Sequence, residues 1–162
     1  MIVVLMGVSG SGKTTIGKLL AERTGWTFAD ADDYFPRSCK QKMAAGHPLT
    51  DGDRVPWLRL LNRLLRKWQR EGTNGILACS ALKERYHDVL EVGIPKEHIR
   101  FIFLDGPKEL IAERLAKRKH EYMNPKLLDS QLATLEIPTD AIRIVNDRLP
   151  QEIVSQILAQ LL

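Results

Sequence analysis

Cysteine is nearly absent from this chain: Cys39 and Cys79 are its only two, far apart and in no C-x-x-C pair. The four histidines, His47, His87, His98 and His120, fall at no ligand or triad spacing. Together these absences argue against a disulfide framework, a zinc site and a histidine-centred nucleophile. Aromatic residues make up 6% of the chain, and no ribbon of aromatics and Lys/Arg is visible. A nucleic-acid partner is therefore not expected, although the net charge is +4 and the pI near 9.2. Anionic small molecules account for the same excess of basic residues. Apolar runs are no longer than a strand, and the chain enters its first apolar run at Ile2 without a charged leader. No membrane partner and no signal peptide are expected, and the location read from this is cytoplasmic. Neither D-x-x-G nor N-K-x-D occurs, which argues against a GTPase switch.

What is present is 162 residues, 44% hydrophobic, enough for one globular domain spanning 1–162. Strand and helix patterns alternate, as in a parallel sheet with helices on both faces. Strands are expected at Ile2 to Met6, Thr27 to Ala29, Ile76 to Cys79, Arg100 to Leu104 and Ile142 to Val145. Helical spacing appears over 14–23, in Leu58, Leu61, Leu65 and Trp68 up to Gly72, in Leu110, Ile111 and Leu115, and in Ile153, Val154, Ile157 and Leu161. Pro150 suits the first turn of that final helix. The tryptophans Trp26, Trp57 and Trp68 read as core. Two stretches, Asp30 to Asp53 and Arg118 to Pro125, show no periodicity and are expected to be binding loops or lids.

Residues 7–14, Gly7-Val8-Ser9-Gly10-Ser11-Gly12-Lys13-Thr14, form a complete G-x-x-x-x-G-K-[ST] loop placed between an apolar strand and a helix. Such a loop turns its backbone N–H groups and the positive end of the following helix toward phosphate oxygens. Gly7 through Thr15 are accordingly the nucleotide-binding residues. Lys13 is expected on the β- and γ-phosphates, and the Thr14 hydroxyl on Mg²⁺.

Phe28-Ala29-Asp30-Ala31-Asp32-Asp33 brings carboxylates to the ligand edge of the sheet. Alternation along extended backbone predicts that Asp30 and Asp32 face the same way. Phosphoryl transfer to an alcohol needs one acid near the metal shell and one to accept the proton. Asp30 is assigned to Mg²⁺ and Asp32 to the acceptor hydroxyl; the alternative is an acidic turn in which Asp32 or Asp33 caps a helix. At the end of the third strand, Ser80 suits either the metal shell and γ-phosphate or a plain helix cap, and Lys83 an anionic group of the acceptor. Arg118 opens the second irregular stretch, where a lid arginine would neutralise charge on the transferring group. Lys117 and Lys119 read as ordinary basic residues at a helix end.

These motifs, together with Lys42-Met43, Pro48-Leu49-Thr50-Asp51-Gly52-Asp53-Arg54-Val55-Pro56-Trp57-Leu58, Cys79-Ser80-Ala81-Leu82-Lys83-Glu84-Arg85-Tyr86 and Gln131 to Glu136, resemble the bacterial-type gluconokinases, small P-loop kinases related to shikimate kinase. The resemblance implies a P-loop kinase fold with a five-stranded parallel sheet in the order 2-3-1-4-5 and a small lid at about 118–125. It implies ATP-dependent phosphorylation of D-gluconate at its 6-hydroxyl, with the acceptor held by about 30–57. By the same match Arg54 and Lys83 are candidates for the sugar-acid carboxylate or the phosphates, Arg114 for adenine, and Asn146 to Pro150 for the loop beside the base. Kinases of this kind are commonly homodimers. The chain departs from the pattern twice, with Phe35 where His commonly precedes Pro36, and with His120-Glu121-Tyr122 where Gly-His-Phe is common. Both departures bear on the acceptor, and restoring His at either position is expected to move its preference. The rival readings are a kinase of the same fold for another small hydroxy acid, polyol or nucleoside, and a non-catalytic ATP-binding switch.

Overall fold

The computed structural model describes residues 1–8, 10–80, 83–106, 133, 135–136 and 141–161. Five parallel strands lie in the order β2-β3-β1-β4-β5: β1 Ile2–Met6, β2 Thr27–Asp30, β3 Gly75–Ala78, β4 Ile99–Asp105 and β5 Ile142–Val145. The implied sheet order is thus observed, and each expected strand lies within a residue or two of its place. The helices are α1 Lys13–Thr24, α2 Arg37–Ala44, α3 Asp51–Glu71, α4 Glu84–Leu90 and α5 Pro150–Leu161. The helix expected around Leu110 to Leu115 and the expected lid lie outside the described residues.

Alternation along β1 divides the interior in two. Ile2 and Val4 point to the face covered by α3 and α4, where they meet Trp57, Leu61, Leu65, Tyr86 and Leu90. Val3 and Leu5 point to the other, covered by α1 and α5 through Ile16, Leu20, Ile153, Val154 and Ile157. Every residue of β1 is buried, so this strand is the axis on which the loop at its C-terminal end is mounted. Burial of each of these side chains stabilises the fold by roughly 1.5–3 kcal/mol. No helix among the described residues is long and apolar enough to cross a membrane.

The stretch Asp30 to Asp53 is not the irregular loop expected. It holds a 3₁₀ turn, Ala31–Tyr34, then α2, and it ends inside α3, which starts well before Leu58. The helical signal there was hidden because α2 buries only Cys39 and Met43. The start of α3 is set by a capping box: Thr50 Oγ1 accepts from the Asp53 N–H at 3.0 Å, and Asp53 Oδ2 accepts from the Thr50 N–H at 2.8 Å. Lys42 Nζ sits 2.8 Å from the same Asp53 oxygen, and its ammonium holds that carboxyl down at about 2. Pro56 lies inside α3 near its N-terminal end and is tolerated there.

Phe35 is a packing residue. Its ring stacks on that of Trp57 with centroids 4.1 Å apart, and it also packs on Cys39, Met43 and Leu49. Phe35→His is therefore expected to cost about 1–2 kcal/mol in lost apolar burial and stacking. The expected result is a melting temperature lowered by a few degrees with acceptor preference unchanged. A shifted preference at an unchanged melting temperature would return position 35 to the acceptor pocket.

Candidate active site

The phosphate loop leaves β1 and enters α1 as the motif requires. Gly7, Gly10 and Gly12 have φ of 149°, 83° and 99°, values that side-chain-bearing residues rarely adopt. At Gly7 and Gly12 space forbids side chains as well. A Cβ on Gly7 would lie 2.7 Å from the Leu104 carbonyl oxygen, and one on Gly12 only 2.3 Å from Asn146 Nδ2. Lys13 Nζ donates to the carbonyls of Gly7 at 2.9 Å and Val8 at 3.0 Å, so its ammonium is folded over the mouth of the loop. Ser11 Oγ is buried with no hydrogen-bond partner. Among the described residues that buried hydroxyl within the glycine-rich loop is unsatisfied, a polar group that a bound anion could satisfy. Thr15 is exposed in the first turn of α1, and Ser9 lies outside the described residues.

Thr14 and Asp30 come together as assigned, the Thr14 hydroxyl donating to Asp30 Oδ2 at 2.8 Å. Among the described residues no three His, Cys, Asp or Glu gather to cage a cation. Two hard oxygen donors beside a phosphate loop nonetheless fit Mg²⁺, which is commonly held by one or two protein oxygens plus substrate phosphates.

Asp32 reaches the site by a different route from the one predicted. The chain leaves extended geometry at Asp30, whose Oδ1 accepts from the Asp32 N–H at 3.0 Å and caps the 3₁₀ turn. Asp30, not Asp32 or Asp33, is thus the cap. The argument from strand alternation fails because Asp32 sits in the turn, yet the turn still delivers it to the loop. Trp57 Nε1 donates to the Ala31 carbonyl at 2.7 Å and pins that turn to the core. Burial, and after it the neighbouring Asp30 charge, push the Asp32 carboxyl up to about 6, against a smaller opposing pull from Lys13. This places a carboxyl of nearly neutral pKa within the electrostatic reach of Lys13.

The side chains of Arg54 and Lys83 are held by two residues to which sequence reasoning assigned no role, Asp51 and Tyr86. Lys83 Nζ lies 3.0 Å from Asp51 Oδ1, and the same carboxylate takes Arg85 and the Tyr86 hydroxyl. These bonds hold the Asp51 carboxyl below its usual range, the Tyr86 and Lys83 hydrogen bonds contributing most. Arg54 donates to the Leu49 carbonyl at 2.9 Å and to the Tyr86 hydroxyl at 3.1 Å, its guanidinium 5.5 Å from the ring centre. Among the described residues it makes no salt bridge with a carboxylate. The N-cap of α4 is Lys83, so Ser80 does not cap that helix. Cys79 is buried at the end of β3, and burial pushes its thiol well up, which makes it inert.

Asn146, expected beside the base, braces the phosphate loop. Its Nδ2 donates to the Ser11 carbonyl at 2.7 Å and its own N–H to the Asp105 carbonyl at 2.8 Å. Arg114, Arg118, Lys117, Lys119 and His120-Glu121-Tyr122 lie outside the described residues. In the sequence Asp51 appeared only as part of the Pro48 to Leu58 motif and Asn146 only as part of the loop beside the base, and neither motif reveals a partner remote in the chain.

The shikimate kinase family model matches residues 9–162. A probable gluconokinase from Dictyostelium discoideum is 46% identical over 145 residues, covering 87% of this chain and 72% of the relative. A gluconokinase from Gluconobacter oxydans is 41% identical over 160 residues, covering 96% and 88%. Among solved structures, a gluconokinase from Sinorhizobium meliloti superposes with a TM-score of 0.86 at 38% identity, covering 98% of this chain and 90% of that one.

Proposed function

We infer the reaction from kinship and site together: the chain belongs to the shikimate kinase family and, within it, to the gluconokinases, and is a phosphotransferase acting on an alcohol group. The reaction we propose is transfer of the γ-phosphoryl group of ATP to the 6-hydroxyl of D-gluconate. The observation that carries it is the likeness to gluconokinases over most of the chain, and the geometry agrees with it: Asp32 stands in the turn that follows Asp30, the partner of Thr14, where an acceptor hydroxyl can lose its proton.

In this reading residues 7–15 bind the phosphates, and Lys13 follows the charge that develops on the transferring group. Thr14 and Asp30 would hold Mg²⁺, which when bound neutralises charge on the phosphates. Asp32 accepts the hydroxyl proton, and Arg54 takes the sugar-acid carboxylate. Lys83 is better read as a strut, because Asp51 already occupies its ammonium. Arg118 over the phosphates and Arg114 on adenine remain proposals from the sequence. Two reduced, buried cysteines agree with a cytoplasmic location.

The test is kcat/KM across gluconate, other aldonates, shikimate and glucose. Gluconate is expected to exceed glucose by orders of magnitude, since a site built for an anion leaves its arginine unpaired with a neutral sugar. Activity confined to shikimate, nucleosides or neutral sugars would reject the acceptor. ATP binding without consumption for any acceptor would favour the switch.

A further inference from the structure

We propose that Tyr86 is a specificity-determining positioning residue, whose hydroxyl, anchored on Asp51, aims the Arg54 guanidinium at the acceptor's carboxylate. This rests on the reading of Arg54 given above. Arginine is a strong carboxylate ligand only when its planar fork is held in register with the two oxygens, and a mobile side chain loses rotamer freedom on binding. Here the fork is held in advance. One nitrogen, NH1, bonds both the Leu49 carbonyl and the Tyr86 hydroxyl, while the ring lies 5.5 Å beneath the guanidinium carbon.

The tyrosine is itself immobile. It is buried at 2% exposure at the start of α4, between the helix and the sheet-face core. Its hydroxyl has one proton, and that proton goes to Asp51, leaving the oxygen lone pairs for Arg54. Burial and the Asp51 hydrogen bond both raise the phenol above its ordinary range, so it remains a donor throughout the working pH range. Asp51 has a second effect. By pairing with Lys83 and Arg85 it removes two cations that would otherwise compete for an incoming anion. The bridge also ties the first turn of α3 to α4, two elements remote in sequence.

The experiment compares D-gluconate with D-glucitol, which has a hydroxymethyl group in place of the carboxylate. Wild-type preference for gluconate must be established first; its absence would defeat the acceptor reading and not the role of Tyr86 specifically. Given that preference, Tyr86→Phe is expected to raise the gluconate KM about tenfold, the scale of one weakened hydrogen bond to a charged group. kcat and the ATP KM should stay within about twofold, a split that general loss of structure would not produce. In an Arg54→Ala background the same substitution should change the gluconate KM by less than about twofold, because its partner is gone. An unchanged gluconate KM in Tyr86→Phe, or a full effect that persists without Arg54, overturns the proposal. Should Tyr86→Phe fail to fold, Asp51→Ala carries the test: it removes the anchor of the Tyr86 hydroxyl while leaving Arg54 in place, and an unchanged gluconate KM there would equally overturn the proposal.

Discussion

Lys13→Ala is expected to lower kcat on the order of 10³-fold while the protein stays folded. The ammonium donates to the Gly7 and Val8 carbonyls at 2.9 and 3.0 Å, which holds it at the phosphate loop. Loss of one preorganised donor aimed at transition-state charge typically costs about 10²- to 10³-fold, and a full positive charge in a closed phosphate site stands at the upper end. The fold should survive because the core residues of α1, Ile16 and Leu20, are untouched. Unchanged kcat in a variant with wild-type circular dichroism would remove this loop from catalysis.

Asp32→Asn should lower kcat by about 10²- to 10⁴-fold, the range for a positioned general base. The amide keeps the volume, the 3₁₀ turn and the Asp30 cap, which is made to the backbone of residue 32. It cannot accept the proton. The pH profile provides a second check. Because the Asp32 carboxyl is raised to about 6, the deprotonated, active form is lost as pH falls through that value. At saturating Mg²⁺ and ATP, the acceptor kcat/KM should fall about tenfold per pH unit on the acid side of the inflection. The residual activity of Asp32→Asn should lack that limb. Asp30→Asn should instead raise the Mg²⁺ concentration needed for half-maximal rate. Identical behaviour of the two variants would mean that the division of labour between them is wrong.

Legibility in the sequence tracked the range of the interaction. The phosphate loop could be read in full because its chemistry is made by consecutive residues, and β1 and β5 were bounded correctly because apolar runs of strand length are local signals. Helix α2 was missed for want of a buried face, and the early start of α3 because Gly52 and Pro56 resemble loop punctuation while Thr50 and Asp53 form a cap. Asp32 was expected to face Asp30's way along a strand, whereas it lies in the 3₁₀ turn that Asp30 caps.

By itself the sequence determined the nucleotide-binding loop and the alternation of strands and helices, since each follows from local backbone geometry or from a motif that admits few other uses. Tertiary structure alone decided the rest. It placed the Phe35 ring in a stack on Trp57. It joined Asp51 to Lys83, Arg85 and Tyr86, separating a cation already occupied from Arg54. It pressed Asn146 against Gly12, 134 residues earlier in the chain. The pKa of Asp32 belongs here too, because desolvation and a neighbouring carboxylate act through space. A charged group's partner and its exposure to water depend on which elements the sheet brings side by side, and spacing along the chain carries no record of that.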